Sequence, residues 1–76
     1  MTDFNDIRRQ FSEYYRLDVT YSVVFYRPNG KLYRRNTRSI TRALAMYTEF
    51  AVVETTIRNS AGAVIGGIPG NRNSID

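Results

Sequence analysis

The chain has 76 residues with eleven basic and seven acidic side chains, no His and no Cys, for a formal net charge of +4. That length makes one domain at most, and a chain this short buries only about 60% of its unfolded surface. Without Cys or His there is no disulfide and no ordinary zinc or haem site to staple it, and an enzyme would lack both the commonest general base and the best nucleophile.

Ten aromatic residues, six of them Tyr, argue against general disorder. Residues 1–17 are punctuated by charges, so no signal peptide is read there, and no apolar stretch approaches the ~20 residues of a membrane span. The expectation is a cytoplasmic protein with no membrane, metal or cofactor requirement.

Thr2 or Asp3 can cap a first helix over residues 4–16, where Phe4, Ile7, Phe11 and Tyr14 or Tyr15 recur at helical spacing. Asp3 and Asp6 fall at its positive start and Arg16 at its end, as the helix dipole favours. Residues 19–26 then alternate. Val19, Tyr21, Val23 and Phe25 point one way, and Thr20, Ser22, Val24 and Tyr26 the other. Arg27-Pro28-Asn29-Gly30 is a turn, with Pro presetting φ and Gly closing a three-residue hairpin loop. Residues 31–36 return antiparallel, with Tyr33 opposite Phe25 and Leu32 opposite Tyr26.

Ser39 caps a second helix over residues 40–50, whose apolar face is Ile40, Ala43, Leu44, Tyr47 and Phe50. Residues 51–58 read as strand, with Val53, Thr55 and Ile57 on one side. Asn59-Ser60-Ala61-Gly62 repeats the first turn, and residues 63–68 return, weakened at Gly66-Gly67. From Pro69 the composition is loop-like. The expected layout is one small domain over 1–68 and a flexible C-terminal tail over 69–76.

The predicted class is α+β: an N-terminal helix, then β-hairpin–helix–β-hairpin, forming a four-stranded, mostly antiparallel sheet with a helix packed on one face. That helix would cover Tyr21, Val23, Phe25, Tyr33, Val53, Ile57 and Ile65. Periodicity leaves the first helix either on the opposite face or beside the second helix. With neither on it, the opposite face would be an aromatic platform flanked by arginines.

Residues 19–48 contain no Asp or Glu, yet hold Arg27, Lys31, Arg34, Arg35, Arg38 and Arg42, so a +6 segment stands against a −2 remainder. Clustered cations attract an anionic partner. Strand alternation divides this segment, because Arg34 and Arg35 are neighbours and point to opposite faces. Arg27 and Lys31 flank the hairpin tip. Arg38 and Arg42 bracket the Ser39 cap, where the partial positive charge of a helix start makes arginine unfavourable unless an anion sits there. Residues 34–42 are therefore the expected anion site, with Tyr26 as the aromatic on the face away from the second helix. As ordinary surface residues, Arg34 or Arg35 would instead pair with Glu49 or Glu54.

Gly66-Gly67-Ile68-Pro69-Gly70 lacks the Lys-Ser/Thr of a phosphate-binding loop. Arg34-Arg35 with Ser39 and Ala43 resembles the final strand and helix of a double-stranded-RNA-binding domain over about a third of the chain. The third strand before that helix and the lysine pair at its start are missing, so we do not assign that family. The size, the hairpin–helix–hairpin pattern and the absence of catalytic residues resemble small phage-encoded inhibitors, anti-CRISPR proteins among them. That resemblance implies action by protein–protein contact.

Three readings follow. The first is a non-enzymatic binding protein engaging nucleic acid or an acidic protein surface through the basic hairpin and helix start. The second is a phage-type inhibitor or adaptor that uses protein contact. The third is a structural subunit, a homodimer for instance, associating through the Phe4–Ile7–Phe11 stripe.

Overall fold

The computed structural model describes residues 4–15 and 18–71. The expected caps Thr2 and Asp3, the helix end at Arg16 and the tail from residue 72 lie outside the described residues. Six elements follow in order: α1 (Phe4–Glu13), β1 (Thr20–Tyr26), β2 (Leu32–Thr37), α2 (Ile40–Glu49), β3 (Ala51–Arg58) and β4 (Val64–Pro69). The fold is α+β, with four antiparallel strands in one sheet ordered β2-β1-β3-β4. β4 includes Pro69, the first residue of the expected tail.

Local chemistry builds the hairpins. The Arg27 N–H donates to the Lys31 carbonyl at 3.0 Å and the Gly30 N–H to the Arg27 carbonyl at 2.8 Å, with Gly30 at φ 82°. The second loop repeats this with Asn59, Ala63 and Gly62, the glycine at φ 86°. A β-carbon is disfavoured in that left-handed conformation, which is why both loops carry glycine there. The first hairpin sets Tyr33 opposite Phe25 and Leu32 opposite Tyr26, the expected register.

Both helices lie on one face of the sheet. α2 crosses β1, β2 and β3, while α1 packs beside α2 and over β4. Phe11, fully buried, sits between Tyr21 (ring centroids 5.3 Å apart) and Tyr47 (5.6 Å, edge-on). Ile7 and Phe11 thus belong to the same core as Val23, Val52, Ile57 and Ile68. The helix-free face carries Arg34, Val24 and Glu54 across neighbouring strands.

Two bulges alter the expected core. The β1–β3 register shifts between Val24 and Phe25, so Glu54 faces Val24 while Val52 faces Phe25. Val53 is the extra residue, and Val52 takes the core position expected of it. The β3–β4 register shifts beside Ile57, pairing Ile57 with Gly66 and Arg58 with Val64 and skipping Ile65. Ile65 is therefore exposed and Ile68 is buried instead. One inserted residue reverses side-chain parity beyond it. Gly66 has its own role, since the Tyr14 ring occupies the space a β-carbon would need.

The tyrosines of this core are satisfied unequally. The Tyr47 hydroxyl donates to the Pro69 carbonyl (3.2 Å) and shares a 2.8 Å hydrogen bond with the buried Thr55 hydroxyl. The buried Tyr21 hydroxyl has no partner among the described residues. Asn71 ties the end of β4 to the helix. Its side-chain amide donates to the Tyr47 carbonyl at 2.6 Å and its side-chain oxygen accepts from the Val52 N–H at 2.8 Å.

Tyr47→Phe should cost about 1–3 kcal/mol at neutral pH, because it strands the Thr55 hydroxyl, whereas Tyr21→Phe should be neutral or stabilising. Burial pushes the Tyr47 hydroxyl from 10.0 up to about 12, with the Thr55 hydrogen bond opposing the shift and Glu54 adding to it. Since the folded state favours the neutral phenol, its contribution is intact below pH 10 and is lost between pH 10 and 12. Urea melts across that window should show about 2–3 kcal/mol less alkaline loss in Tyr47→Phe than in the parent. Equal losses in the two proteins would contradict this assignment.

Candidate functional site

β2 is an edge strand, and although α2 touches it, every β2 residue except Thr37 is exposed. An α-helix with side chains is about 10–12 Å across, too narrow to roof a four-stranded sheet. What remains partly open is the helix-facing side of β2. There Phe50, Phe25 and Tyr33 stack in sequence, with ring centroids 4.6 Å and 6.2 Å apart. The Arg27 guanidinium lies over the Tyr33 ring, 5.4 Å from its centre. The Asn29 side-chain amide donates to the Tyr33 hydroxyl at 3.3 Å, holding the exposed ring against the hairpin tip.

Beside this ladder a groove of about 430 Å³ runs between β2 and α2. Arg27, Arg35 and Arg42 border it, Phe25, Met46 and Phe50 supply apolar wall, and Glu49 is its one acid. Arg35 faces the groove because it pairs with Val23, whose side chain is in the core. Arg9 forms ion pairs with Asp6 (3.3 Å) and Glu13 (3.7 Å) on α1, away from the groove. Arg27, Arg35 and Arg42 face the groove without an ion-pair partner among the described residues, and the pairing of Arg34 or Arg35 with Glu49 or Glu54 does not form.

The other expected site residues go elsewhere. Arg34 pairs with Val24 and lies on the helix-free face. Lys31 is exposed at the hairpin tip, outside the groove lining. Tyr26 lines a separate hollow of about 360 Å³ that shares Arg27, Glu49 and Phe50 with the groove. Arg38 borders another hollow with Asp18, Thr20 and Arg58. The expected helix-start cluster is therefore split, with Arg42 on the groove and Arg38 away from it. Ser39 caps α2 as expected, and its hydroxyl accepts from the Arg42 N–H at 3.2 Å. That bond occupies one of the amides an anion would have used.

Phe50 and Glu49 line the groove, although the sequence marked Phe50 only as apolar helix face and Glu49 only as a possible arginine partner; Tyr33, one of the aromatics crowding the first hairpin, stacks beside the groove. The usable signal was Tyr33 facing Phe25 across a hairpin: with β2 at the sheet edge, a residue on its core-facing side is left half open, and Tyr33 is 38% exposed. Strand order supplies that fact, and periodicity does not. Among the described residues no three potential metal ligands come together, and no helix is long and apolar enough to cross a membrane. Compared with known protein families, curated proteins and solved structures, the chain matches none.

Proposed function

We propose that this chain is a small non-enzymatic binding protein that engages an anionic macromolecular partner through the groove between β2 and α2. The observation carrying this reading is the convergence of Arg27, Arg35 and Arg42 on one concave, partly apolar surface without ion-pair partners among the described residues. Guanidinium groups beside an apolar wall suit a ligand that offers both negative charge and flat or aliphatic surface. The absence of His and Cys supports binding rather than catalysis, and the absence of Cys agrees with a cytoplasmic setting.

The protein-contact reading draws on the free edge of β2, since an unpaired strand edge accepts a partner strand. Self-association through the Phe4–Ile7–Phe11 stripe has less to draw on, because Ile7 and Phe11 lie in the chain's own core.

The test is a titration of labelled oligothymidylate and of polyglutamate at two salt concentrations. Binding of at least one is expected, with affinity falling as salt rises; three contacts to single-stranded phosphate give a log–log slope of roughly −2. No binding of either at low salt would overturn the proposal.

A further inference from the structure

We infer that the partner is an extended acidic polypeptide segment that adds to the sheet as a fifth strand along β2, with two consecutive acidic residues set against Arg34 and Arg35. This rests on the basic-groove reading and names the partner of that surface.

Antiparallel pairing fixes which backbone groups of β2 are free. Arg27 and Lys31 form a hydrogen-bonded pair at the hairpin end. Such pairs alternate with non-bonded ones along an antiparallel ladder. Tyr33, Arg35 and Thr37 therefore bond to β1, and the N–H and C=O groups of Leu32, Arg34 and Asn36 point away from the sheet. No strand of the sheet lies beyond β2 to meet them, and all three residues are exposed. The edge thus offers a row of donors and acceptors along six residues containing two arginines and no acid.

The charge arrangement selects the occupant. Arg34 and Arg35 point to opposite faces, so no flat polyanion can contact both from one side. An extended peptide does the same with its own neighbours: two successive acids place one side chain on each face. One meets Arg34 on the helix-free face, and the other meets Arg35 at the mouth of the groove. A second copy of this chain paired through β2 would bring arginines together across the new ladder, and like charges directly opposite are unfavourable. The charges that keep β2 from pairing with itself therefore make it selective for an acidic strand.

The probe is a capped octapeptide of Thr and Val with a central Glu-Glu pair, titrated into the whole ¹⁵N-labelled protein. Binding is expected to slow amide exchange at Leu32, Arg34 and Asn36, while the amides already bonded to β1 change little. Moving the acids to Glu-Thr-Glu, which puts both on one face, should weaken binding about threefold. Arg34→Glu and Arg35→Glu should each weaken it further, and a Lys-Lys peptide should recover binding to the double reversal. Peptide binding without protection of those three amides would overturn strand addition. So would binding of oligothymidylate or polyglutamate with none of the octapeptide, which leaves the groove reading standing. If none of the three ligands binds, both the inference and the groove reading fall.

Discussion

Phe11→Ala should destabilise the protein by about 3–5 kcal/mol, the cost of emptying a fully buried aromatic site. A chain of this size has roughly 4–11 kcal/mol in total, so the urea midpoint should fall steeply. Phe11 has no exposed surface and touches both Tyr21 and Tyr47. Its ring is thus where α1, α2 and β1 meet, and no neighbouring apolar side chain is positioned to replace it without moving a helix. Phe4, on the same helix but 39% exposed, provides the comparison, and Phe4→Ala should cost less than about 1 kcal/mol. Equal costs for the two would mean that α1 does not pack beside α2 over the sheet.

Reversing Arg35 and Arg42 together to Glu should reduce binding of the anionic ligand by at least about 100-fold at low salt, since each charged hydrogen bond contributes about 1.5–3 kcal/mol. The two residues come from different elements, β2 and α2, and meet only at the groove. Both are exposed, so the unfolding midpoint should stay close to that of the parent. Arg38→Glu should change affinity only a few-fold, because Arg38 borders a different hollow beside Asp18 and salt screens its remaining influence. A comparable loss from Arg38→Glu would return the site to the start of α2. An unchanged affinity in the double reversal would remove the groove from the binding surface.

Much of this architecture was legible in the sequence, for local reasons. Period-two alternation placed β1 and β3, helical spacing placed α1 and α2, and Pro28, Gly30 and Gly62 marked loops whose geometry allows little else. The hairpin loop then set the register that puts Tyr33 against Phe25. Of the three failures of the core assignment, Tyr33 is left open by its place on the edge strand, while Val53 and Ile65 share one cause. Each is the additional residue of a bulge, and an insertion that breaks the pairing of two distant strands leaves no mark in the spacing of either one. Asn71 was hidden for a related reason: in a loop-like run, nothing local says that one side chain bonds to the end of α2 and the start of β3.

The candidate site divides the same way. By itself the sequence determined that the positive charge lies between the first hairpin and the second helix, and that Arg34 and Arg35 must diverge, because charge content and side-chain parity are properties of a short stretch of chain. Only the tertiary structure decided which arginines act together. Both helices pack on one face, α2 across β2, β1 and β3 and α1 over β4, and the outer part of β2 stays open on the side where Arg35 and Tyr33 point. Arg42, in the first turn of α2, borders the resulting groove, whereas Arg34 and Arg38 lie elsewhere. That outcome depends on strand order and on the width of a helix relative to a four-stranded sheet, which no local window of sequence contains.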